Sequence, residues 1–100
     1  MANKLIFHPH IPDDVVAAVT YYEEISSELA NRFWEQVNRR LDDIAARPES
    51  FPMDVAPIRF ARLERFPYLI FFVIKPEFVS IIAILHGATN PPSWRQRASD

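Results

Sequence analysis

The stretch Tyr68-Leu69-Ile70-Phe71-Phe72-Val73-Ile74-Lys75-Pro76-Glu77-Phe78-Val79-Ser80-Ile81-Ile82-Ala83-Ile84-Leu85 decides the fold. Its two halves, 68–74 and 78–85, are dense in β-branched and aromatic residues, which predicts two central strands buried on both faces. Lys75-Pro76-Glu77 joins them as a hairpin. Proline cannot take a positive φ, so the turn is expected to be based on type I rather than type I′. Upstream, residues 58–63 alternate as a half-buried strand does. Arg59, Ala61, Leu63 and Arg65 share one face, and Ile58, Phe60 and Arg62 share the other. Phe66-Pro67 breaks this run, and residues 49–57, with Pro52 and Pro57, read as a connecting loop.

The N-terminal half reads as one strand and two helices. Residues 4–8 form a short apolar run stopped by Pro9. Pro12 suits the first helical position, and Asp13 and Asp14 place negative charge at the positive end of the dipole. Val15, Val19, Tyr22 and Ile25 then recur at helical spacing. Ser26-Ser27 breaks that helix and caps the next. Leu29, Phe33, Val37, Leu41 and Ile44 form the apolar stripe of the second helix, and Pro48 ends it. The short link makes the pair an antiparallel hairpin. The expected fold is a two-layer α+β domain spanning residues 1–100, in the order β-α-α-β-β-β, with the helical hairpin packed on a mainly antiparallel sheet.

At 100 residues the chain has room for one core. Cysteine is absent, which removes disulfides, thiol nucleophiles and thiolate metal sites. The single glycine, Gly87, excludes glycine-rich phosphate loops. With no signal peptide and no apolar run near membrane length, the expected location is the cytoplasm, without a membrane partner. The net charge of -2 hides an asymmetry. Residues 1–57 hold five Lys+Arg against ten Asp+Glu, and residues 58–100 hold six against three. The basic residues are mostly arginine, so the C-terminal part is where an anionic partner would be met, with a solvated surface as the alternative.

No standard catalytic motif and no paired metal-ligand spacing is present, and no cofactor or metal is expected. His8 and His10 flank Pro9 in what reads as a structural turn. The segment 85–97 is more informative. His86 ends a buried strand, Gly87 follows, and then come a proline turn, Trp94, Arg95 and Arg97. Sheet ends offer functional side chains a rigid base. The alternative is that His86 caps the strand and Trp94 covers a sheet edge.

The element order, together with several short motifs, resembles the RelE/ParE family of bacterial type II toxins, which includes ParE-like plasmid stabilisation proteins. Leu29-Ala30-Asn31-Arg32-Phe33, with its stop at Ala46-Arg47-Pro48, is similar to that family's second helix. Ile58-Arg59 and Leu63-Glu64-Arg65-Phe66-Pro67-Tyr68 are similar to its arginine strand and following turn. His86-Gly87-Ala88-Thr89-Asn90-Pro91 with Trp94 and Arg97 is similar to its signature after the last strand. Thr89 departs from the pattern, because arginine usually stands there.

The resemblance implies a toxin neutralised by a cognate antitoxin, in a hetero-oligomer, and two activities divide the family. ParE-like members bind DNA gyrase, and RelE-like members cleave messenger RNA on the ribosome. An RNA cleavage site needs a base, an acid and cations. Arg59, Arg62 and Arg65 are possible cations, and His86 is the one plausible proton carrier near them. The nuclease alternative would use Arg59, Arg65 and His86. Two lysines and a pI near 5.9 provide little of the electrostatic term that docking on ribosomal RNA requires. The expectation is therefore a binding toxin rather than an enzyme. An endoribonuclease, or an attenuated member because of Thr89, are the alternatives. Arg59, Arg62, Arg65, His86, Thr89, Trp94 and Arg97 are the candidate target- or antitoxin-binding residues. An apolar groove on the helical hairpin can receive an antitoxin helix, with Trp34 and Tyr21 as anchors or as ordinary hairpin packing.

Overall fold

The computed structural model describes residues 2–88 and 92–99. Strand β1 (Leu5–Phe7) leads through Pro9 into helix α1 (Ile11–Glu23) and helix α2 (Ser27–Ala46). A 3-10 turn at Pro48–Ser50 and a loop then lead to β2 (Ile58–Arg62), β3 (Tyr68–Ile74) and β4 (Val79–His86). A final 3-10 segment spans Pro92–Ser99. The sheet order is β1-β4-β3-β2, with β1 parallel to β4 and the other pairs antiparallel. This is the α+β architecture expected from the sequence.

Local chemistry explains the boundaries. Pro12 lies in the first turn of α1, where its missing N–H is not needed. The Ser26 hydroxyl accepts the Leu29 N–H at 3.0 Å and caps α2. Arg47, before Pro48, leaves helical geometry and ends it. One expectation needs correction: Ile25 does not continue the α1 stripe. It lies beyond the helix end and is exposed. The N–H groups of Ile25 and Ser26 both bond back to the Tyr22 carbonyl and close the helix there.

Between β3 and β4 the Lys75 N–H donates to the Phe78 carbonyl at 2.9 Å. No described non-glycine residue has a positive φ, so the hairpin avoids a type I′ turn. Strand β4 starts one residue later and ends one residue later than the sequence suggested, so His86 belongs to it.

The sheet carries apolar side chains on both faces. Phe33, Val37, Leu41 and Ile44 of α2 pack with Ala61, Leu63, Ile70, Phe72, Ile81 and Ile84 on one face. Ile58, Phe71, Val73, Ile82 and Ala83 form a second cluster with Trp94. The register slips between Phe71 and Phe72, so Phe71 faces Ala83 while Phe72 faces Ile81. Ile82 is the extra residue. It lets the consecutive residues Ile82 and Ala83 both serve the second face.

Candidate functional site

An apolar groove runs along the helical hairpin. It starts where β1 meets α1, as a cleft of about 440 Å³ walled by Phe7, Ile11, Val15, Val16, Trp34 and Leu41. It continues as a second cleft of about 410 Å³ that shares Val15, Val16 and Trp34 and reaches Val19 and Ala30. Trp34 stands at the junction with 46% of its surface exposed, and Phe7 and Val16 are 45% and 63% exposed. Large apolar side chains left this open on adjoining elements mark an interaction surface. Tyr21 is exposed too, but it packs edge-on against Tyr22 and lines neither cleft. Phe7 and Val16 were not singled out from sequence. Val16 was legible, because it falls between the buried positions of α1 rather than on them.

The two outer strands of the sheet differ. On the free side of β2, Ile58 accepts from the Asp54 N–H, Phe60 donates to the Pro52 carbonyl, and the Arg62 carbonyl accepts from Arg40 Nε. On β1, the Lys4 carbonyl accepts from the Val79 N–H and the His8 N–H donates to the Ile81 carbonyl, both on β4. The alternate residues Leu5 and Phe7 therefore aim theirs outward, beside the groove. The open sheet edge and the apolar groove are thus contiguous.

The candidate arginines separate into held and free. Arg59 donates to the Phe51 carbonyl at 2.6 Å and, at 3.4 Å, to that of Glu49, so it secures the loop that precedes β2. The Arg62 and Arg65 side chains are exposed and make no hydrogen bond or ion pair to a described residue. Arg65 lines a shallow cleft with Arg32, Arg39 and Glu64. Arg97 is paired with Asp14 at 2.8 Å and also donates to the Ile82 carbonyl.

His86 is exposed at the end of β4. Its Nδ1 accepts the Ala88 N–H at 2.9 Å, and its ring meets Tyr68 edge-on at 5.4 Å. In that geometry the Nδ1 lone pair is occupied, and only Nε2 faces outward. Trp94 is buried on the sheet face against Phe71, with centroids 4.0 Å apart, rather than on an edge. Thr89 lies outside the described residues.

Arg59 and His86 are not brought together. Arg59 pairs with Phe72 and His86 with Tyr68. Four residues of β3 separate these levels, about 13 Å along the strand. Among the described residues no group of three or more His, Asp or Glu side chains is placed to hold a metal. His8 Nδ1 accepts the His10 N–H at 3.1 Å and their rings stack, as a structural turn requires. No described helix is long and apolar enough to cross a membrane.

Comparison with known proteins agrees with this architecture. The family described as ParE toxin of type II toxin-antitoxin system, parDE, matches residues 5–91. Relatives named Toxin ParE2, from two strains of Mycobacterium tuberculosis, are each 27% identical over 95 residues, covering 91% of this chain and 88% of their own. A solved structure titled "Chromosomal ParDE TA system from P. aeruginosa" matches with a TM-score of 0.75 at 19% identity. That match covers 85% of this chain and 96% of the other, and the likeness is one of fold.

Proposed function

The chain belongs to the ParE toxin family of type II toxin–antitoxin systems, and on that premise we propose that it acts by binding DNA gyrase rather than by cutting messenger RNA. An antitoxin partner comes with the family. The observation that carries the non-nuclease reading is the separation of Arg59 from His86. Attack of a 2′-hydroxyl on phosphate needs its base, acid and cations around one phosphorus atom. Here the one arginine on the helix-facing side of β2 is spent on the loop carbonyls of Glu49 and Phe51. The titratable side chain in ring contact with His86 is the Tyr68 phenol. Burial pushes the Tyr68 hydroxyl above its ordinary value, away from the range a general base needs.

In this reading residues 1–100 act as one toxin domain in the cytoplasm, where gyrase is found. The antitoxin lays an amphipathic helix into the groove at Val16 and Trp34 and assembles with the toxin as a hetero-oligomer. Arg62 and Arg65 are free to meet carboxylates or phosphates of a partner. The outward Nε2 of His86 is available to the target, and Trp94 serves by anchoring the C-terminal segment on Phe71. Thr89 stays a candidate on its sequence position alone.

The test is tightly controlled induction of wild type beside Thr89→Arg, with growth and plasmid supercoiling followed together. Arrest with loss of supercoiling supports the proposal. Arrest with intact supercoiling and halted translation would replace it with the endoribonuclease reading. Arrest by Thr89→Arg alone would identify an attenuated member, which the departure at Thr89 makes the second reading.

A further inference from the structure

Asp14 and Arg97 form the least exposed ion pair among the described residues, with side chains 7% and 19% exposed. It sits at the β-bulge. Beyond the end of β1, strand β4 has no neighbour on that side, so the backbone groups around Ile82 and Ile84 need other partners. Asp14 Oδ2 accepts the Ile84 N–H at 3.0 Å, and Arg97 Nη1 donates to the Ile82 carbonyl at 3.1 Å. The same two side chains bond each other at 2.8 Å and 3.4 Å. One pair therefore closes the sheet edge and ties α1 to the C-terminal segment.

That segment is attached in an unusual way. Among the described residues, no backbone group of residues 92–99 bonds to backbone outside the segment. Its anchors are side chains: Trp94 on Phe71, Arg95 to Asp54 at 3.2 Å, and Arg97 to Asp14. It covers Ile58, Phe71, Ile82 and Ala83 without adding a strand or a helix to the ladder. A segment held this way can leave without breaking any of the sheet, so its opening is decoupled from global unfolding.

We propose that residues 92–99 form a strap over the second face of the sheet, opening as a unit, with the Asp14–Arg97 pair as its latch. The latch dominates the closed state, because its two side chains are the least exposed of the described ion pairs and each also holds a backbone group of β4. Arg95–Asp54 is more exposed, at 37% and 25%, and is the weaker tie. Asp14 and Arg97 are positioning residues. They set where Trp94 and Arg95 are held on the sheet face.

Amide hydrogen exchange on the full chain tests this. In wild type, amides of residues 94–98 should exchange through an opening whose denaturant dependence is well below that of β3 and β4. Asp14→Asn and Arg97→Gln should each speed exchange at 94–98 by about tenfold or more, leaving β3 protected. The double variant should be no faster than the faster single one, as expected for two ends of one contact. Arg97→Lys should recover part of the protection. Exchange at 94–98 that moves only in step with β3 and β4, in wild type or in either variant, would overturn the latch. The consequence for activity rests on the target-facing reading above. Asp14→Asn, which leaves Arg62, Arg65 and His86 untouched, should weaken growth arrest along with the loss of protection. An open strap with full arrest would count against that target-facing reading and leave the latch standing.

Discussion

Arg40 Nε, on α2, donates to the backbone carbonyl of Arg62 at 2.8 Å. This contact joins the helical layer to the outermost strand and satisfies the last carbonyl on the free side of β2. The same guanidinium pairs with Asp43 at 3.1 Å and lies 5.1 Å from the Phe51 ring centre. Unpaired strand edges invite pairing with other chains, and here a side chain from another layer blocks the edge. Arg40→Ala removes one hydrogen bond, a half-exposed ion pair and a ring contact. The expected cost is about 1–2 kcal/mol. Urea unfolding measures it, and size-exclusion chromatography should show more self-association than wild type.

Phe33 is fully buried, with its ring centre 5.0 Å from Tyr68, 5.2 Å from Tyr22 and 5.3 Å from Phe66. It joins both helices to the turn before β3. Phe33→Ala should cost about 3–5 kcal/mol, a large part of the total stability of a domain this size. A loss below about 1 kcal/mol, read from the urea midpoint, would contradict the packing described for this cluster.

Burial pushes the Tyr22 hydroxyl above its ordinary value, and the neighbouring Tyr68 and Tyr21 add to the effect. Burial raises Tyr68 in the same direction. The folded state thus holds these phenols neutral where the unfolded chain would ionise them. Their contribution is complete below the unfolded value, near pH 10, and is lost as pH rises through the folded one. Stability should fall steeply in that alkaline window, and Tyr22→Phe should flatten the fall. Thermal melts between pH 8 and pH 11 check this.

The free and held arginines should behave in opposite ways. Arg62→Ala and Arg65→Ala should change stability by less than about 0.5 kcal/mol. They should weaken growth arrest or antitoxin binding. Arg59→Ala strands the Phe51 carbonyl and should cost about 1–2 kcal/mol. Melting temperatures and induction assays on the three variants separate the classes.

Much of this was legible in local sequence. Ser26 as a cap, the α2 stripe and the dense runs of β3 and β4 each carry their signal within a few residues. The split of β2 into an Ala61–Leu63 face and an Ile58–Phe60 face also follows from alternation alone, but which face meets the helices comes from the packing. The rest depends on contacts between distant segments. Asp14 looks like an ordinary first-turn carboxylate, and nothing near it indicates a partner 83 positions later. The bulge at Ile82 is equally silent, since an unbroken run of apolar residues hides a change of face. Arg59 and His86 were grouped because the RNA cleavage that the family resemblance allows would need both a cation and a proton carrier. The register places them at different levels of the sheet. The groove needed three separate elements to be assembled before Phe7, Val16 and Trp34 could be seen together.

The most direct test of the central claim is a supercoiling assay with purified gyrase and this protein. A parallel reaction would hold ribosomes and a translated messenger. The expected result is loss of supercoiling, or accumulation of cleaved DNA held by gyrase, with the messenger left intact. The antitoxin should reverse the effect, and a Trp34→Ala toxin should escape that reversal. Ribosome-dependent cleavage of the messenger with gyrase unaffected would contradict it.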